Sequence, residues 1–179
     1  MKDFRAYRID QKDGRIEAGF ETLSIDDLSD GDVIVKVSHS TINYKDALAA
    51  TGAGKILRKF PLVGGIDLAG TVVSSGDARF GEGDPVLVNG CGLGEVRDGG
   101  YAEYARVPAD ALVPIPDGLD PHAAMQIGTA ASRCRSAAQR AGGGVPPSSR
   151  PASAGGSSHA WPHSGQVNCI SHLKNTCFL

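Results

Sequence analysis

The chain has 179 residues, 41% of them apolar and 6% aromatic, and a formal net charge of −2. That length suits one domain, or one domain with a tail, and the charge argues against a general nucleic-acid binder, which carries a basic face or a high pI. No apolar run approaches the roughly 20 residues that span a bilayer, and the charged start Met1-Lys2-Asp3-Phe4-Arg5 has no signal-peptide character, so the chain reads as cytoplasmic.

Two short strands are expected over 2–9 and 15–23, around the turn Asp10-Gln11-Lys12-Asp13-Gly14. The clearest strand is 32–38, where Val33, Val35 and Val37 alternate with Ile34, Lys36 and Ser38, the period of a half-buried strand. From Asn43 to Ala50 the period changes. Asn43 can cap a first turn, Asp46 favours a helix N-terminus, Ala47-Leu48-Ala49-Ala50 are helix formers, and Gly52 stands where a C-terminal glycine belongs. Strand signals return at Ile66–Ser74, Val86–Val88, Tyr101–Val107 and Leu112–Ile115, separated by turns such as Phe80-Gly81-Glu82-Gly83-Asp84-Pro85. Short strands punctuated by glycine predict a barrel or sandwich rather than a parallel sheet. Asp120-Pro121 reads as the N-cap and first residue of a helix running through Met125 and Ile127.

The charges divide the chain. All 20 carboxylates lie between Asp3 and Asp120, so residues 1–130 hold 20 acidic and 13 basic side chains, a net −7. From Ala131 there are five cations (Arg133, Arg135, Arg140, Arg150, Lys174) and no anion. Residues 141–158 are five Gly, five Ser, three Pro, three Ala, one Val and one Arg, a composition with too little apolar surface to offset chain ordering. A domain at 1–130 and a disordered tail at 131–179 are therefore expected. Cysteine usage agrees with the cytoplasm: Cys91 falls in the first part and Cys134, Cys169 and Cys177 in the second, unlike a secreted disulfide framework.

Three glycine clusters invite a phosphate-binding reading, and each reads better as a turn. Gly90-Cys91-Gly92-Leu93-Gly94 does not follow the G-x-G-x-x-G order, Gly52-Ala53-Gly54-Lys55 lacks the GK[ST] ending, and Gly142-Gly143-Gly144 follows no strand. His159 and His163 have the spacing of two metal ligands, but Trp161-Pro162 between them breaks a helix. More informative is Asn43-Tyr44-Lys45-Asp46, which puts an amide, a phenol, an ammonium and a carboxylate at a strand-to-helix junction. Such clusters mark ligand sites. The plainer alternative, a cap with a solvated first turn, stays open on these residues.

The order of motifs goes further. Gly31-Asp32-Val33-Ile34-Val35-Lys36-Val37, Ile42-Asn43-Tyr44-Lys45-Asp46, Pro61-Leu62-Val63-Gly64-Gly65-Ile66-Asp67-Leu68-Ala69-Gly70, Phe80-Gly81-Glu82-Gly83-Asp84-Pro85-Val86, Asp98-Gly99-Gly100-Tyr101 and Ile127-Gly128-Thr129-Ala130 follow one another at sensible spacing. Together they resemble the N-terminal catalytic domain of medium-chain dehydrogenase/reductases. Within that superfamily Asn43-Tyr44-Lys45-Asp46, Thr51-Gly52-x-Gly54-Lys55-Ile56 and Gly65-Ile66-Asp67-Leu68-Ala69-Gly70 look like the acrylyl-coenzyme A reductase and quinone oxidoreductase branch. The resemblance implies a GroES-like barrel, mainly β with short helices, in an NADPH-dependent, zinc-free oxidoreductase that reduces enoyl thioesters or quinones. It implies that Tyr44 contacts the cofactor, that Asn43 shapes the same catalytic wall, and that Thr129 faces the cleft. It also implies a small-molecule substrate, no nucleic-acid or membrane partner, and homodimers among the full-length relatives. Zinc-type relatives have Cys near Asn43 and Gly-His-Glu where this chain has Gly65-Ile66-Asp67, and three zinc ligands cannot be assembled.

Two departures stand out. Gly64 replaces a usual Pro, which is expected to loosen the turn before Ile66. After Ala130 the chain reads Ala131-Ser132-Arg133-Cys134-Arg135-Ser136 in place of the expected helix and Rossmann domain with its glycine fingerprint. A reading-frame change or misplaced junction near codon 130 is one explanation, a natural extension the other. The expectation is that these 179 residues are inactive by themselves, with no NADPH bound and an apolar surface left bare. The alternative is a non-catalytic interaction module or pseudoenzyme.

Overall fold

The computed structural model describes residues 3–129. The expected tail disorder, Gly142-Gly143-Gly144 and the His159/His163 pair lie outside the described residues.

The chain opens with a hairpin, β1 (Phe4–Lys12) and β2 (Arg15–Leu23), in continuous antiparallel register from Phe4↔Leu23 to Lys12↔Arg15. Its turn is shorter than expected. Only Asp13 and Gly14 connect the strands, both at positive φ (49° and 77°). That is the two-residue turn whose twist matches paired strands, so pairing continues to Lys12. β4 (Leu62–Val63) joins the other side of β1, giving a three-stranded sheet β2-β1-β4. Gly64 does not loosen this region: its N–H donates to Tyr7 O at 3.0 Å, a bond that proline could not make.

A five-stranded antiparallel sheet has the order β7-β3-β5-β6-β8, from β3 (Val33–His39), β5 (Asp67–Ser75), β6 (Pro85–Asn89), β7 (Tyr104–Val107) and β8 (Val113–Pro114). β3 lies inside the sheet, between β7 and β5, and its alternating valines fill the space beneath it. Val33 and Val35 pack with Leu68, Val72, Val86, Val88 and Val107, all essentially inaccessible. Burying each such side chain contributes roughly 1.5–3 kcal/mol. β5 pairs with β3 so closely near the register shift after Val37 that a Cβ on Gly70 would stand 2.1 Å from the Lys36 carbonyl oxygen. The strand 101–107 expected from the sequence pairs regularly only from Tyr104. Residues 101–103 instead bridge the sheets, with Tyr7 N–H donating to Tyr101 O at 2.7 Å and Val37 N–H to Glu103 O at 2.9 Å.

Two helices complete the described chain. α1 (Tyr44–Thr51) follows β3 and ends on left-handed Gly52, as its composition predicts. Residues 121–129 are helical (α2 below). Asp120 Oδ1 accepts the Ala123 N–H at 2.8 Å, so Asp120 is the expected N-cap. α2 buries Ala124 and Met125 against Ala69 and Ile115. The architecture is mainly β with short helices, the GroES-like fold class. No described helix is long and apolar enough to cross a membrane.

Candidate functional site

The N-terminal end of β5, the segment after β3 and the last described turn of α2 converge on one side chain, the fully buried Asp67. Its Oδ2 accepts hydrogen bonds from Thr41 Oγ1 (2.8 Å), Asn43 Nδ2 (3.0 Å) and the Thr129 N–H (3.3 Å). Its Oδ1 accepts from Thr129 Oγ1 (2.5 Å) and the Gly90 N–H (3.2 Å). A carboxylate offers about four lone-pair positions, so these five donors leave none over. Asn43 Nδ2 also donates to Thr41 Oγ1 at 3.0 Å. The amide nitrogen of Asn43 is therefore spent on the protein itself.

A second buried carboxylate fixes the start of α1. Asp46 Oδ2 accepts the Asn43 N–H at 2.8 Å and Oδ1 accepts the Ile66 N–H at 3.0 Å, tying helix to strand entry. Burial pushes this carboxyl above its ordinary value, against the pull of those two donors. Tyr101 closes the same corner by donating its hydroxyl to Thr41 O at 2.9 Å. Burial, and then the negative charge of Asp46, push the phenol upward. On the next face of α1, Lys45 ion-pairs with Glu95, whose carbonyl accepts the Arg58 N–H at 2.8 Å.

Of the residues singled out from the sequence, Asn43 and Thr129 are brought together on Asp67. Tyr44 is not. It follows Asn43 at the first position of α1 with 81% of its surface exposed, beside Ile42 at 87%. Asp67 and Thr41 were missed as site residues, although an acid inside Ile66-Asp67-Leu68-Ala69 is an anomaly in an apolar strand. A cleft of about 670 Å³ adjoins this segment, lined by Arg5, Phe20, His39, Ile42, Tyr101 and Glu103 among others.

The glycine clusters within the described residues are turns, as expected. Around Gly90–Gly94 the amides of Gly90, Leu93 and Gly94 donate to Ile66, Gly90 and Arg97 carbonyls, and those of Glu95, Val96 and Arg97 to Gly92 O. Gly52 N–H donates to Ala49 O and Ile56 N–H to Gly54 O. The amides so engaged are not free to hold a phosphate. Nor do three or more His, Cys, Asp or Glu side chains gather into a metal-binding group among the described residues.

Residues 29–117 match the family model described as the alcohol dehydrogenase GroES-like domain. The chain is similar to the probable acrylyl-CoA reductase AcuI of Escherichia coli (strain K12), 53% identical over 126 residues, 70% of this chain and 39% of that protein. It is similar to the putative quinone oxidoreductase YhfP of Bacillus subtilis (strain 168), 48% identical over 71% of this chain and 38% of the relative. The solved structure of yhfP with NAD bound superposes with a TM-score of 0.76 at 43% identity, covering 83% of this chain and 45% of that one. The yhdH oxidoreductase of Salmonella enterica, solved in complex with NADP, superposes with a TM-score of 0.72 at 50% identity, covering 77% and 44%. The matched segment thus spans about two fifths of each curated relative.

Proposed function

The chain belongs to the medium-chain dehydrogenase/reductase superfamily through its alcohol dehydrogenase GroES-like domain, and on that premise we propose that it forms the substrate-side wall of a zinc-free, nicotinamide-dependent reductase of enoyl thioesters or quinones. One observation carries the reading: Asn43 and Thr129, from the two ends of the described site, are held on the single carboxylate of Asp67. The exposed side chains of Ile42 and Tyr44 adjoin this anchor. Apolar and aromatic side chains next to a fixed anchor can orient flat reactants without reorganising when they react.

A bound nicotinamide cofactor would supply a hydride to the β-carbon of the thioester or to the quinone ring, with the balancing proton coming from solvent. The residues of this chain position the reactants. Tyr44 offers an aromatic face and a phenol hydroxyl with no internal partner among the described residues. Asn43 is a positioning residue, because its amide nitrogen donates to Thr41 and Asp67. Thr129 gives its proton to Asp67, so its oxygen has only acceptor capacity left for a ligand N–H or O–H. The reaction needs no strong general base. The zinc-free reading rests on donor chemistry: Asp67 has no spare lone pair, and its neighbour Ile66 presents hydrocarbon.

In this reading Tyr44 and Thr129 would meet the nicotinamide end of the cofactor. The pyrophosphate has no cradle among the described residues, and in relatives of this superfamily a second domain would supply it. The 179 residues by themselves are therefore inactive in this reading. A chimera tests it: residues 1–129 fused to the part of the Escherichia coli relative that follows its matching segment. The chimera is expected to oxidise NADPH with acrylyl-CoA or a quinone, whereas the 179-residue chain does not. A folded chimera that binds NADPH yet reduces neither class would favour the non-catalytic module instead.

A further inference from the structure

Among the described residues β2 pairs with β1 alone, so one side of it is an open sheet edge. The hydrogen bonds of β1 show which groups of β2 reach that edge. Tyr7 turns its backbone away from β2: its N–H donates to Tyr101 O at 2.7 Å and its carbonyl accepts the Gly64 N–H at 3.0 Å. Arg5 O likewise accepts the Glu103 N–H at 3.1 Å. Opposed residues of an antiparallel pair either exchange both bonds or both turn outward, in alternation. Tyr7 faces Phe20 and Arg5 faces Thr22, so Ile16, Ala18, Phe20 and Thr22 direct their backbone N–H and C=O groups outward. No turn, loop or cap bond among the described residues reaches these four backbones. Ile16 and Ala18 are half-buried, Thr22 is exposed, and Phe20 is 69% exposed. A long strand with a free edge is a template for a further strand.

We propose that this edge is an interface between two copies of the chain, their β2 strands paired antiparallel about a two-fold axis at Ala18. The inference is independent of the reductase reading. Pairing requires that outward-turned residues oppose one another, which allows only a few registers, and charge selects among them. Centred on Ala18, Arg15 lies opposite Glu21 of the second copy, Ile16 opposite Phe20 and Glu17 opposite Gly19. Arg15 has no ion pair among the described residues, so this register supplies one, and Ile16 covers the exposed ring of Phe20. Centred on Gly19, Glu17 would oppose Glu21; centred on Glu17, that residue would oppose itself. Like charges directly opposite are destabilising. Centred on Phe20, Arg15 has no partner. The Ala18 register is self-complementary, as a closed two-fold contact must be. At the other side of each sheet β4 has only two residues, too short an edge to continue the pairing.

Sedimentation velocity of the 179-residue chain over a concentration series is expected to show a monomer–dimer equilibrium. Ala18→Pro removes an outward N–H that the hairpin does not use, so it should abolish the dimer and leave the circular dichroism of the monomer unchanged. Arg15→Glu, which sets Glu opposite Glu21 on both sides of the axis, is expected to weaken the dimer at least about tenfold. Cysteines read the register. With oxidised glutathione, Ala18→Cys should cross-link to itself across the axis, and Gly19→Cys, which faces Glu17 instead, should do so far less. Mass spectrometry of the linked peptides separates these products from those of the native cysteines. The inference is overturned by a monomer at every concentration, by a folded Ala18→Pro that still dimerises, by Arg15→Glu keeping the affinity, or by Gly19→Cys cross-linking as readily as Ala18→Cys. Should Ala18→Pro fail to fold, the charge variant and the cysteine pair decide between the same outcomes.

Discussion

Thr129 gives both its hydroxyl and its backbone N–H to the carboxylate of Asp67, 62 residues earlier in the chain, at 2.5 and 3.3 Å. This pair locks the last described turn of α2 to the first residue of β5. Because Asn43 and Thr41 share the same carboxylate, three separate segments are coupled through one buried charge.

Asp67→Asn is expected to cost about 2–4 kcal/mol, since the new amide hydrogens face donors that keep their need for an acceptor. Thr129→Val is expected to cost about 1–2 kcal/mol by losing one charge-assisted bond. The double variant should then fall short of the sum by at least about 0.5 kcal/mol. Urea denaturation of the four proteins measures this cycle, and strict additivity would show that the two side chains are not coupled.

Glycines separate sterics from chain entropy. Gly70→Ala would place a Cβ 2.1 Å from the Lys36 carbonyl oxygen, between two central strands that cannot part. A loss of about 3 kcal/mol or more is expected, or failure to fold. Gly19→Ala, on the exposed strand β2, meets nothing within 4 Å and is expected to be neutral or to gain up to about 1 kcal/mol by restricting the unfolded chain. Melting temperatures of the two variants test the contrast, and similar values would refute the close packing of β3 on β5.

Two carboxylates are expected to act on stability with opposite sign. Burial raises Asp46 above 3.8 in the folded protein. Its contribution is therefore fully present below that value and is lost as pH rises through the raised pKa. Hydrogen bonds from Arg79 lower Asp77 to about 2, so its contribution is present above 3.8 and is lost as pH falls through about 2. Urea titrations from about pH 2 to 7 should show wild type losing ground to Asp46→Asn as pH rises. Over the lower part of that range wild type should gain on Asp77→Asn, a gain reduced by salt because the pair is exposed. The same sign for both variants would contradict the assigned causes.

The 179-residue chain is expected to show no heat of NADPH binding by calorimetry at millimolar cofactor. Most amides of its described turn at 90–97 donate to the chain's own carbonyls, and the main phosphate contacts of a dinucleotide come from a glycine turn held between strand and helix. Tight binding would reveal a cofactor site in this chain that needs no second domain.

Local order was legible in the residues because it depends on neighbours in the chain. The alternation of Val33, Val35 and Val37 predicts β3, and Asn43, Asp46 and Gly52 bracket α1 through the groups that cap a helix. Asp120 marks the entry to α2 in the same way. The hairpin turn was misplaced, since whether strands pair through Lys12 depends on the twist of both partners and not on local composition. The order of motifs from Gly31 to Thr129 was enough to identify the family.

Tertiary structure decided how the site is held. Asn43 looked like a catalytic wall residue, but folding turns its amide inward onto Thr41 and Asp67. Asp67 looked like one residue of a motif and proved to be its hub. Linear spacing cannot report such a relationship, because a buried carboxylate must collect its donors from wherever the fold brings them. In this protein they come from Thr41, Asn43, Gly90 and Thr129.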